Sequence, residues 1–219
     1  MRTVRRTLVA LVAFGAGVAG TAPPTWATEA EFSITPLPLR QAFVDGDTEK
    51  FRAHHWMNDG YAGGIEEFTG RAVLPDGTEI ATGGHALIDA NDLGAEFSVK
   101  KEALGFLTFD YDEFRKYFDG TGGVHRRFAT LQTNDTDKEL ALDIGKFGLE
   151  TGLTLEGWPE LGFTYEREFK DGAKSRLSWT DVTEFGETRK IGPSWQDIDE
   201  IVDSFALTAD HELAGFSLK

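Results

Sequence analysis

Hydrophobic and polar positions alternate one by one along much of the chain. The cleanest run puts Leu161, Phe163, Tyr165, Arg167 and Phe169 on one side, and Gly162, Thr164, Glu166 and Glu168 on the other. A repeat of two separates an apolar side from a wet one only in an extended strand. Gly157-Trp158-Pro159 precedes this run and Lys170-Asp171-Gly172 follows it. Asp-Gly suits a tight hairpin, so the pattern predicts strand, turn, strand, with Leu177 and Trp179 on the returning arm. The same texture recurs in Phe68, Gly70, Ala72 and Leu74, then after Pro75-Asp76-Gly77 in Ile80, Thr82, Gly84, Ala86 and Ile88. It returns in Leu93, Ala95, Phe97 and Val99, in Gly105, Leu107, Phe109 and Tyr111, and in Leu149, Thr151, Leu153 and Leu155. About ten strands of roughly 8–11 residues result, long enough to cross a bilayer when tilted. Strands of a soluble sandwich are nearer 5–6 residues.

Elsewhere the alternation fades. Thr28 to Asp47 is polar and carries Pro36 and Pro38, which predicts an extended polar leader over 28–47, with strand patterning from near Phe51. Asp110 to Gly123 reads as a long strand end or one helical turn, and Val124 to Asp137 as a polar connection. Thr183 to Gly192 is polar. Ser194 then stands three residues before Asp197 as a capping box, and Trp195, Ile198, Ile201 and Val202 share a helical face. That predicts a short loop helix near 194–202. Strand pattern resumes at Phe205, Leu207 and Ala209. The expected fold is all-β: an antiparallel up-and-down meander forming part or all of a transmembrane β-barrel over residues 48–219, incomplete at its C-terminal end.

The first residues change the picture of where the chain goes. Arg2, Arg5 and Arg6 precede an uncharged apolar run, and Thr25-Trp26-Ala27 offers small residues before a cut, so residues 1–27 read as a cleaved signal peptide. Removing them takes three Arg and no acid, leaving 19 basic against 37 acidic residues, a formal charge of −18. That balance argues against nucleic acid as a partner. The absence of cysteine excludes thiolate metal sites and Cys-anchored haem. No later apolar run spans a bilayer as a helix, so entry into a membrane would require strands.

Four segments carry a family resemblance: WMNDGYAGGIEEFTG (Trp56 to Gly70), FDYDEFRKYFDGTGG (Phe109 to Gly123), GWPELGFTYEREFKDGAKSRLSW (Gly157 to Trp179) and KIGPSWQDIDEIVDSF (Lys190 to Phe205). Together they resemble the amino-terminal parts of large bacterial outer-membrane β-barrel proteins. They are similar to the porin-like barrels that sheath multihaem cytochromes in electron conduits, and more loosely to decahaem-associated barrels. The likeness spans residues 45–219 and lies in strand texture and loop phrases. It implies an outer-membrane location, outer-membrane lipid as a partner and a multihaem cytochrome as a second one. The chain departs from the decahaem-associated group in lacking a CxxC near the mature start.

Candidate chemistry is sparse. Glu150, Glu156, Glu160, Glu166 and Glu168 are candidate lumen or water-facing acids, whose sign would favour cations in a pore. Trp158, Tyr165, Phe169, Trp179 and Trp195 are candidate membrane-interface aromatics. His54 and His55, read as strand neighbours, would point to opposite faces and could not share an ion. Asp197, Asp199, Glu200 and Asp203 lack the glycine and terminal Glu of a calcium loop and read as a solvated helix face. Asn134, Asp135, Asp137 and Glu139 form a similar loop cluster. Gly60 to Gly64 and Gly120 to Gly123 read as turns. No catalytic constellation stands out, so the expected function is a passive porin-like channel, or a sheath for a redox partner, with no cofactor and no catalysis. The alternative from another class is a soluble secreted β-sandwich that binds a ligand. A hydrolase on a β scaffold is a third reading.

Overall fold

The computed structural model describes residues 27–119, 139–184, 187–213 and 216–218. Nine strands follow one another in chain order across an antiparallel array: β1 (Glu29–Ala42), β2 (Gly60–Val73), β3 (Glu79–Leu87), β4 (Asp92–Lys101), β5 (Gly105–Tyr117), β6 (Ala141–Leu153), β7 (Glu160–Glu184), β8 (Glu187–Leu213) and β9 (Phe216–Leu218). The all-β antiparallel meander expected from the alternation is the fold. β1 and β9 are its two edges, so the sheet does not close on itself.

Among the described residues nothing stacks on this sheet as a second layer. Among the described residues the buried apolar side chains are Tyr117, Leu140, Leu142, Ala173 and Ile198, while Phe97 is 40% and Leu153 46% exposed. The strands are held edge to edge by their ladders, which run unshifted through β3–β4, β4–β5, β5–β6 and β6–β7.

The two ends of the sheet differ. At one end, residues 74–78, 102–104 and 154–159 make short connections. At the other, 43–59 carries helix α1 (Thr48–His55), 88–91 carries a 3₁₀ turn (Ile88–Ala90), β5 ends at Tyr117 and β6 begins at Ala141. There too, β7 and β8, 25 and 27 residues long, run on together as a hairpin to Glu184 and Glu187.

Turn 74–78 shows how the short connections are fixed. Gly77 takes the positive φ of +80° that the turn needs. Asp76 accepts from the backbone of Thr78 (3.1 Å) and from Lys101 Nζ (2.6 Å). The hydrogen bond from Lys101, followed by those from Thr78, holds the Asp76 carboxyl well below its ordinary 3.8. A depressed carboxylate contributes stability in full above the unfolded value, and that contribution fades only as pH falls below it toward the folded value. In a ¹³C titration the Asp76 carboxyl is therefore expected to stay ionised through pH 3.8, and Lys101→Gln is expected to return the midpoint toward that value.

Several local expectations are corrected. The helix near 194–202 does not exist: these residues lie within β8, with Trp195 and Ile201 on one side and Ile198 and Val202 on the other. A nine-residue helix is marginal alone, whereas the continuous ladder with β7 satisfies its backbone groups along the whole stretch. Lys170-Asp171-Gly172 is not a hairpin turn. Gly172 does adopt a positive φ (+137°), but inside β7, where a Cβ would stand 2.1 Å from the Ala141 carbonyl of β6. The glycine signal was real and serves a close approach rather than a reversal, so Leu177 and Trp179 continue outward on β7. The leader 28–47 is extended but not separate: Glu29 to Ala42 is β1, pairing with β2 from Glu29↔Val73 to Ala42↔Gly60. Pro36 and Pro38 suit such an edge strand. Gly60 to Gly64 opens β2 instead of turning. The helix is α1, capped by Asp47 accepting from Lys50 N (3.1 Å), so His54 and His55 sit on a helix and not on a strand. β5 stays extended to Tyr117. The connection 124–137, the 120–123 glycines, the 134–137 cluster and the signal peptide through Trp26 lie outside the described residues.

Candidate functional site: the two faces of the sheet

Residues directly opposite in an antiparallel pair share a face, so the registers map both surfaces. One row reads Ile80, Val99, Leu107, Thr151, Phe163, Leu207 from β3 to β8. The next reads Thr82, Phe97, Phe109, Leu149, Tyr165, Phe205. Phe68, Gly70 and Ala72 of β2, with Phe32 and Ile34 of β1, continue the same face to the edge. Rings link its strands: Phe109 and Phe147 meet edge-on at 5.1 Å, Phe147 and Tyr165 at 5.8 Å, and Tyr165 stacks on Phe205 at 4.8 Å. The face is nonetheless open, with Leu207 83% exposed.

The opposite face is wet. Its rows are Ala81, Ser98, Thr108, Glu150, Thr164, Ala206, then Gly83, Glu96, Asp110, Gly148, Glu166, Ser204, then His85, Gly94, Asp112, Lys146, Glu168, Val202. Large and charged side chains lie flat here over glycines that leave them room. Asp110 covers Gly148, the His85 ring covers Gly94 and the Phe106 ring covers Gly152, each within 2.4 Å of where a Cβ would stand. Lys146 pairs with Glu166 (2.5 Å) and Lys170 with Glu200 (3.6 Å).

A belt of charge ends the apolar band toward the long connections. Arg167 forks onto Asp203 (2.7 and 3.1 Å), which also accepts from the Tyr165 hydroxyl (2.8 Å). Arg115 forks onto the nearly buried Asp143 (2.6 and 3.0 Å), and Tyr111 donates to Glu113. These bidentate pairs fix register across β5–β6 and β7–β8. Each tyrosine thus keeps its ring in the apolar band and its hydroxyl in the belt.

The predicted site residues distribute accordingly. Glu150, Glu166 and Glu168 all lie on the wet face, whereas Glu156 stands exposed in turn 154–159 and Glu160 at the start of β7. Tyr165 and Phe169 share the apolar face, with the Phe169 ring lying over Gly145. Trp158 occupies the short turn at the far end and is 68% exposed. Trp179 does not join these aromatics: it is ten residues beyond Phe169 on the β7–β8 hairpin. Asp197, Asp199 and Asp203 face the belt side and Glu200 the other, so the acidic cluster is divided between two faces. Among the described residues no group of His, Asp and Glu is arranged to hold a metal ion. Sequence reading missed the Arg–Asp forks. Arg167, a charge inside an apolar register, is the available signal, but the spacing around its partner Asp203 predicts a helix face instead.

Comparison with protein-family models, with curated proteins and with solved structures finds no match.

Proposed function

We propose that this chain is wall of an outer-membrane β-barrel, with its apolar face against lipid and its wet face lining a water-filled passage. One observation carries the reading: an apolar face unbroken across eight strands, on a sheet that no second layer covers among the described residues. From Leu161 to the Arg167 belt that face runs about 20 Å along the strand at ~3.4 Å per residue, or roughly 15 Å upright when tilted near 40°. That is shorter than the roughly 25 Å apolar band of such barrels; Phe169 and Ile201 continue the face beyond the belt. Tyrosines at its margin, short turns at one end and long connections at the other support the same orientation.

The passage would be passive and would favour cations, because Glu79, Glu96, Asp110, Asp112, Glu150, Glu166, Glu168 and Glu200 outnumber Arg71, Lys100, Lys116, Lys146 and Lys170 on the wet face. Sheathing a redox partner, a multihaem cytochrome by the family resemblance, is the second use of the same architecture. Expressed with its leader, the protein is expected in the outer-membrane fraction and resistant to carbonate extraction. In planar bilayers under a salt gradient, its reversal potential is expected to have the cation-selective sign. Recovery as a soluble periplasmic monomer would overturn the membrane reading. A sealed bilayer despite insertion would leave the sheath in place of the channel.

A further inference from the structure

At the long-connection end, the segment after α1 lies against the upper ends of the strands and leaves a cleft of about 220 Å³. Leu37, Leu87 and Met57 line it with the rings of Trp56 and Phe114, which stand parallel (5°) with centroids 6.0 Å apart. Arg40 and His55 add positive or ionisable groups.

Two features set this cleft apart. First, its charges are unequal in their commitments. Arg115, also in the wall, is engaged by Asp143, and with the Asn91 amide oriented to accept, by Asn91 as well. Asp92, the acid of the wall, stands 2.9 Å from His85 Nε2. The Arg40 guanidinium has no side-chain hydrogen bond or ion pair among the described residues. Second, Trp56 is the αL residue that ends α1, with φ +54° and its N–H on Arg52 O. Glycine holds that position at no steric cost, whereas a residue with a Cβ costs about 1–2 kcal/mol there. Strain of this kind gathers where a side chain is needed in a set place, and here it sets the indole ring as a wall of the cleft.

We propose that this cleft binds a small organic anion with a flat apolar body, its carboxylate on Arg40 and its body against Trp56 and Phe114. The volume falls below the roughly 300–1,000 Å³ of clefts that take drug-sized ligands, which points to something the size of phenylacetate. A guanidinium with no side-chain partner among the described residues offers the forked donor geometry that a carboxylate matches. The site does not require that the sheet lie in a membrane, so failure of the outer-membrane reading would leave it standing.

The test is calorimetric and saturation-transfer NMR titration of the folded full chain with phenylacetate, and with phenethylamine as a cation of similar shape. Phenylacetate is expected to bind at least tenfold more tightly than phenethylamine. Arg40→Gln is expected to weaken phenylacetate about tenfold or more, while Lys174→Gln on the distant hairpin leaves it unchanged. Trp56→Gly relieves the αL strain, so it is expected to keep the strand circular dichroism and still lose the ligand. Equal affinity for the two probes, or unchanged phenylacetate binding in both Arg40→Gln and Trp56→Gly, would overturn the proposal.

Discussion

Phe109→Arg is expected to abolish stable insertion into lipid vesicles, while Thr108→Arg, one residue away, folds and inserts like the parent. Phe109 sits mid-face, opposite Phe97 and Leu149 and edge-on to Phe147. An arginine there loses the ring pair, worth about 0.5–1.5 kcal/mol, and must place its charge in hydrocarbon, at about 2–4 kcal/mol near the bilayer midplane. Thr108 points the other way, opposite Ser98 and Glu150. Its replacement meets water and a carboxylate, an effect expected within about 0.5 kcal/mol. Urea titration of the vesicle-reconstituted protein reads both. Equal stability of the two variants would mean that no lipid touches the Phe109 face.

That contrast is legible in the sequence itself, because a period of two assigns neighbours to opposite faces wherever both faces have a distinct solvent. Over 80–86, 93–99, 105–111, 149–153 and 161–169 the registers keep the alternation that the sequence shows. Legibility failed where that distinction is lost. Beyond Gly172↔Ile198 β7 and β8 run as a two-stranded hairpin that includes Trp195, and on the sheet side of that point Ile198, Ile201 and Val202 divide between the two faces. Their three- and four-residue spacing then imitates a helix, and only pairing with β7 decides. β1 was obscured differently: Pro36 and Pro38 interrupt its ladder with two register shifts, at Thr35/Pro36 and Leu37/Arg40, which hide Phe32 and Ile34 as members of the apolar face. α1 was missed because eight mostly polar residues with none buried carry no periodic face; only the Asp47 cap marks it. The wet-face acids of β6 and β7 followed from alternation alone. The Arg115–Asp143 and Arg167–Asp203 forks join residues 28 and 36 apart and needed the register first.

An effect of comparable size is expected from one added methyl group. In Gly105→Ala the new Cβ would stand 1.9 Å from the carbonyl oxygen of Gly152 on β6, at a φ of +143° that L-residues rarely adopt. Neither clashing partner is a side chain that can swing away; both belong to backbone ladders. Relief requires parting β5 from β6 where their pairing begins, at Gly105↔Leu153. A loss of about 3–5 kcal/mol follows, comparable to the whole margin of many domains. Gly157→Ala is the matched control, since its φ of +76° is also positive but nothing lies within 4 Å of the added carbon. It is expected to cost only about 1 kcal/mol. Gly105 also closes the three-residue turn that aligns β4 with β5 through Lys101↔Gly105. A chain that escaped the clash by slipping one residue would turn Thr108 and Asp110 onto the apolar face. Urea midpoints separate a destabilised fold from a slipped one when combined with thiol labelling of Thr108→Cys by a lipid-soluble maleimide. Labelling in the Gly105→Ala background but not in the parent would signal slippage, and matching midpoints for the two glycine variants would mean that β5 and β6 do not approach as closely as their ladder requires.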